Sequence, residues 1–244
     1  MPQIFPRGAN LVPLKILLVL GALATGAAAA MWYFWTPKYT KVGYQPSQPV
    51  AFSHKIHAGQ LGMDCRYCHS FVETAAHSNV PTAQVCMNCH SQVQKDNPML
   101  EPVRQSFATG EPVQWVQIHK TPDFAYFNHA VHINRGVSCV SCHGRVDQMD
   151  VVYQKESLAM KWCLECHRAP ENHLRPLDKV TDLGWTAPQD PNQLAQVLGT
   201  SVEALHLKPG KNLTASKAQE TMGDFLKNKR GVQPPDSNCA GCHR

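Results

Sequence analysis

The hydrophobic and polar pattern divides the chain into four stretches. Residues Ile16 to Trp35 form a run without charge, and at a helical rise of roughly 1.5 Å about 20 apolar residues match the hydrocarbon thickness of a bilayer. Arg7 and Lys15 precede the run and Trp32, Tyr33, Phe34 and Trp35 close it, as where a helix leaves lipid through an aromatic interface. The positive-inside tendency makes residues 1–15 a cytoplasmic tail and puts everything after Trp35 outside. Ala27 to Ala30 also offer A-x-A cleavage sites, so a cleaved signal peptide competes with a retained helix; the aromatic anchors favour retention, and either exports the rest. Residues 36–49, with Pro37, Gly43, Pro46 and Pro49, hold too many breakers for helix and predict a semi-extended linker. From Val50 to Pro170 no stretch sustains a period of two, which predicts short helices separated by irregular loops. Beyond Glu171 the pattern predicts one clear helix, Pro191 to Leu198 with Asp190 as its cap. The predicted class is mainly α and irregular, behind one N-terminal transmembrane helix.

Composition sharpens this picture. The 244 residues include 15 Gly and 18 Pro but only 8 Phe and 6 Tyr, and much of the apolar count sits in the N-terminal run. The exported part reads as short of core-forming side chains, so something else should hold it together.

The ten cysteines and thirteen histidines supply that something. Every cysteine belongs to a C-x-x-C pair: Cys65 with Cys68, Cys86 with Cys89, Cys139 with Cys142, Cys163 with Cys166, and Cys239 with Cys242. His69, His90, His143, His167 and His243 follow the pairs directly. Two thiols one turn apart can form thioethers to the two vinyl groups of one haem, and the adjacent imidazole then reaches the iron. Zinc ribbons would leave these five histidines and the odd number of pairs unexplained, and a disulfide framework also ignores the histidines. The motifs therefore predict five covalent haem c groups with those histidines as proximal ligands. The apo-chain, lacking its haems, should be largely unfolded. Haem also changes the meaning of the formal charge of +5: five haems would add roughly ten propionate charges against at most roughly five ferric ones, leaving no basic surface for nucleic acid.

Sixth ligands come from the remaining histidines. Phe52-Ser-His54-Lys-Ile-His57 precedes the first haem motif and Phe127-Asn-His129-Ala-Val-His132 the third. Each F-x-H-x-x-H is followed after 7 or 6 residues by C-x-x-C-H, and after 16 or 19 more by another. The chain thus duplicates a dihaem module over 50–170 and adds a fifth haem in 171–244. Histidines three apart are neighbours on a helical surface, so one pair can serve two closely stacked haems. The first histidine is assigned to its own unit's first haem, the second to a haem further along the sequence. His119 is the candidate for the fifth distal ligand, with His77 as competitor. Met149 and Met160 are further candidates that would raise a haem potential. His173 and His206 read as exposed surface histidines.

Through F-x-H-x-x-H before C-x-x-C-H the chain resembles class III and c7-type multihaem cytochromes. Phe52 to Ser70, Val85 to His90, Pro122 to Gly144 and Leu158 to Arg168, joined to one N-terminal membrane helix, are similar to the pentahaem cytochrome subunit of bacterial alternative complex III, a quinol:electron-acceptor oxidoreductase. The resemblance implies an electron wire on the outer side of the cytoplasmic membrane. Its implied partners are an iron–sulfur or molybdopterin-like subunit, integral membrane quinol-binding subunits, and a downstream cytochrome c or oxidase. Related pentahaem chains accompany other molybdopterin-type membrane oxidoreductases. Two enzymatic readings compete. A reductase would need one open iron, but no motif departs from ordinary C-x-x-C-H. A quinol dehydrogenase acting alone would need a proton-handling group in the membrane, and the predicted span has none at its centre. The chain reads as an electron-transfer subunit of an oxidoreductase complex rather than a catalyst by itself.

Overall fold

The computed structural model describes residues 5–36, 40–233 and 239–243. The beginning of the expected tail (1–4), the start of the linker (37–39, with Pro37) and the approach to the last haem motif (234–238) lie outside the described residues. The chain divides into two units, 1–42 and 43–244. In the first, a 3-10 turn (Arg7–Leu11) runs into helix α1 (Val12–Trp35). Residues Gly8–Trp35 are long and apolar enough to cross a membrane, with a mean hydropathy of 2.0. The helix begins earlier than the uncharged run at Ile16 suggests. Pro13 sits in its first turn, where a missing N–H costs nothing. Lys15 is therefore part of the helix, close enough to its end for the stem to carry the ammonium to the interface.

The second unit is helical and irregular, with no strand among the described residues and two isolated bridges, Ala125 to His243 and Val137 to Leu174. The haem motifs sit on short helices: α2 (Cys65–Cys68), α3 (Ala83–His90), α6 (Val140–His143), α7 (Met160–Arg168) and α10 (Cys239–Cys242). Helix α4 (Glu101–Thr109) follows α3, and α5 (His129–Asn134) lies between α4 and α6. Local chemistry sets these starts. Asp64 caps α2 by accepting from Arg66 N, and Asn128 caps α5 by accepting from Val131 N.

The two F-x-H-x-x-H segments dock reciprocally. The first forms a π-helix over Lys55–Gln60 that lies against the segment after the third haem motif. Lys55 N donates to Met149 O, Lys55 Nζ pairs with Asp150 at 3.1 Å, and Gly59 packs so closely on the Asp147 carbonyl that no Cβ could fit. The second, α5, lies against the segment after the first motif. His129 N donates to Ala76 O, Ala130 N to Ala75 O, and Asn134 Nδ2 to Glu73 O. Each repeat is thus completed by the other.

One expectation fails. Residues beyond Glu171 contain a side-chain core: Leu174, Ala187, Leu194, Ala195, Leu198, Val202, Leu205, Ala218, Met222 and Leu226 are buried together. The predicted helix is present as α8 (Pro191–Leu198), with Asp190 accepting from Gln193 N, and packs with α9 (Ala215–Arg230). Composition averaged over the residues after the N-terminal helix concealed this because the apolar residues concentrate on one face of each helix. In 50–170 the expectation stands closer: Val50, Val72, Val103, Ile133 and Met149 are the buried hydrophobics there.

Candidate haem-binding site

A single cavity of about 2740 Å³ runs through the second unit, lined by all ten cysteines and the five histidines that follow them. Ordinary ligand pockets hold about 300–1,000 Å³, so this one has room for several large groups. His54, His57, His77, His119, His129, His132 and His173 also line it, as does Met160. Met149 does not. It lies buried beneath the π-helix, its carbonyl accepting from Lys55 N. His206 is exposed, at a backbone φ of 56°.

Five of the imidazoles are held in one way. Nδ1 donates to a backbone carbonyl in His57 (to Ser53 O, 2.8 Å), His69 (to Asn79 O, 2.7 Å), His90 (to Val93 O, 2.9 Å), His129 (to Ala76 O, 3.0 Å) and His132 (to Asn128 O, 2.7 Å). This fixes the tautomer and leaves Nε2 as the free, lone-pair nitrogen, the arrangement of metal-binding histidines. His119 Nε2 and His54 Nδ1 are buried with no hydrogen-bond partner. Burial, followed by the positive fields of neighbouring imidazoles, pushes His54 down to about 4 and His143 to about 3. Both rings stay neutral at physiological pH, with lone pairs available.

Phe52 and Phe127 pack on the paired histidines, a contact to which the sequence pattern assigned no role. Phe52 stacks on His57 (4.4 Å, 23°) and meets His54 edge-on (4.8 Å, 87°); Phe127 repeats this on His132 (4.7 Å, 30°) and His129 (4.7 Å, 86°). Their fixed place in the repeat was the available signal. Asn79 was unmarked: besides taking His69 Nδ1 on its carbonyl, its side chain accepts from Phe71 N and donates to Cys68 O.

Two ring separations across the cavity leave room for a shared metal. Two metal–nitrogen bonds of about 2 Å, each extended by about 1.1 Å to a ring centre, put imidazoles on opposite sides of one iron about 6.2 Å apart. His57 and His90 are separated by 6.2 Å, and so are His132 and His167. His119 and His143, at 4.4 Å and 78°, touch ring to ring, too close to face each other across a metal. Phe124 lies 5.4 Å from His243.

The motifs also have a spatial order. Tyr67, between Cys65 and Cys68, accepts from Asn88 Nδ2, between Cys86 and Cys89. The neighbouring Cys65 thiol, together with burial, drives the Cys139 thiol up. Burial and then Cys166 and Cys163 push Cys142 up to about 12, and Cys242 adds to the burial that raises Cys163. Tyr126 N donates to Cys242 O, joining the last motif to the strap before the second repeat. Neighbour to neighbour, the motifs run second, first, third, fourth, fifth.

These residues fit covalently attached haem: thiol pairs one turn apart, oriented imidazoles with a free nitrogen, and an apolar cavity to receive the macrocycles. The architecture is that of a multihaem c-type cytochrome. The family model for cytochrome c7 and related cytochrome c matches residues 50–109 and 125–187. The chain is 31% identical over 170 residues to the multihaem cytochrome c subunit of menaquinone reductase from Nitratidesulfovibrio vulgaris, covering 61% of this chain and 80% of that protein. The chain belongs to the cytochrome c7 and related cytochrome c family. Electron transfer through haem c is its chemistry.

Proposed function

We propose that the chain is a five-haem electron conduit, anchored by α1 in the cytoplasmic membrane with its haem-bearing part on the outer side, and a subunit of a quinol-oxidising complex of the alternative complex III type. The carrying observation is the single cavity lined by all five C-x-x-C-H motifs, with two histidine pairs whose ring centres lie 6.2 Å apart. Bound haem would supply a one-electron ferric/ferrous couple at each site. The ten cysteines would attach it, and His69, His90, His143, His167 and His243 would be ligands from the motifs themselves. His57 and His132 would be the further ligands at the second and fourth sites. His54, His129 and His119 would serve the other three, with His77 and Met160 as the alternatives in the same cavity.

The polypeptide's contribution is orientation and tuning. Carbonyl acceptors at Nδ1 raise the basicity of each Nε2, Phe52 and Phe127 fix ring planes, and burial keeps His54 and His143 unprotonated. Two protein ligands for each iron would leave no position open to substrate. Quinol oxidation releases protons, and the central turns of α1 carry no ionisable group. That chemistry therefore belongs to integral membrane quinol-binding partners. An iron–sulfur or molybdopterin-like subunit, and a cytochrome c or oxidase downstream, complete the path.

Purification from membranes in mild detergent tests this. The polypeptide should carry a mass increment of five haems and bring polytopic subunits with it, and the complex should reduce its haems with a quinol analogue while the isolated chain does not. Fewer haems, or a chain that purifies alone, would overturn the reading. The relative's description as part of a menaquinone reductase favours a second reading with the same wiring: electrons run from the haems to quinone. Net quinone reduction by pre-reduced complex would select it.

A further inference from the structure

We propose that Gln48 is a positioning residue for His119: its side-chain amide pairs with the backbone of Val116 and so holds the strap that presents His119 to the haem cavity. The inference rests on the assignment of His119 as a distal ligand. Between α4 and α5, residues 111–122 have no regular structure. Gln48 Nε2 donates to Val116 O at 2.9 Å, and Val116 N donates to Gln48 Oε1 at 2.9 Å. The amide thus offers the donor and acceptor that a neighbouring strand would offer. Among the described residues these are the only hydrogen bonds that tie residues 112–121 to the chain beyond their immediate neighbours, the next such tie being Tyr126 N to Cys242 O at the far end of the strap.

Gln48 is itself anchored. Its segment is fixed to the residues after the third haem motif by Gly43 N to Gln154 O (2.8 Å), Gln154 N to Tyr44 O (3.0 Å) and Gln45 Nε2 to Val151 O (2.8 Å). Val50, two residues on, is buried. His119 depends on this support more than His57, His129 and His132 do. His57, His129 and His132 have Nδ1 tied to a carbonyl, whereas His119 meets His143 by ring contact and its buried Nε2 has no partner. Its aim is set by where the strap runs, three residues from Val116.

The test uses the full-length holoprotein in detergent, reading covalent haem content, carbon monoxide binding after reduction, and the set of midpoint potentials. His119→Ala should raise carbon monoxide binding from near zero to about one haem per chain, with haem content unchanged. Gln48→Leu should raise the binding fraction about ten-fold over the parent and shift one potential, as expected for two lost hydrogen bonds that bias a ligand equilibrium. Gln48→Glu, which keeps the acceptor for Val116 N, should fall between. Val116→Pro, which removes that donor from the other partner, should reproduce the Gln48→Leu result. If His119→Ala opens a site and neither Gln48→Leu nor Val116→Pro does, the inference about Gln48 is wrong. If His119→Ala opens nothing, the ligand assignment itself fails. Loss of haem at several sites in all the Gln48 and Val116 variants would show general scaffolding instead and would also overturn it.

Discussion

Five histidines, His57, His69, His90, His129 and His132, have Nδ1 committed to a backbone carbonyl, which leaves Nε2 for a metal. This division makes ligand exchange legible. His132→Met should keep the fourth site six-coordinate and raise a single midpoint potential by on the order of 0.1 V, a fraction of the range that axial ligands span. Redox titration checks this, and an unchanged set of potentials would remove His132 from the ligand list. A second residue-scale prediction concerns Asp64, which caps α2, pairs with Arg66 at 2.8 Å and accepts from Thr181 Oγ1 at 3.0 Å. The Arg66 hydrogen bond, ahead of the opposing effect of burial, lowers its carboxyl to about 2. Because the folded value lies below the unfolded one, its stabilisation is complete above about pH 4 and disappears as pH falls through about 2. Asp64→Ala should cost about 0.5–1 kcal/mol at neutral pH, discounted for a side chain 42% exposed. It should also flatten the acid limb of a melting-temperature profile between those pH values.

At the scale of elements, the two halves of the haem-bearing part are stabilised differently. The repeats interlock through backbone contacts of the distal-ligand helices, whereas the segment after Glu171 packs α8 and α9 around Leu194 and Met222, both fully buried. Helix α9 approaches the Glu171 carbonyl at Gly223 so closely that any Cβ would collide with it. Gly223→Ala should therefore destabilise this module by about 1–3 kcal/mol despite the better helix propensity of alanine. Leu194→Ala should cost about 2–5 kcal/mol. In both variants thermal melting should move while covalent haem content holds. A haem deficit equal to the loss of stability would mean that the module and the haem sites fold as one. Helix α8 was legible beforehand because Asp190-Pro191 is a strong start signal and a helix cap acts locally. Helix α9 was missed: no feature before its Thr214 cap stands out from the polar sequence around it, although Thr214 accepts from Lys217 N.

For the whole molecule, the expectation of a coreless apo-chain now divides along the sequence. Protein made without haem attachment should retain amide protection in 171–233 and lose it over 50–170. Uniform protection, or none, would contradict the division that the buried residues draw. The motifs themselves were fully readable, since C-x-x-C-H and F-x-H-x-x-H act over one or two turns and their chemistry needs only local spacing. So was the apolar N-terminal helix, because bilayer thickness is a length criterion. The spatial run of the motifs, with the third beside the first, the exchange of docking surfaces between the repeats, and the Gln48 clamp on Val116 were decided by tertiary structure alone. All three depend on contacts between residues far apart in the chain, and such contacts are chosen by packing, hydrogen-bond satisfaction and the space the haems require, which no local pattern encodes.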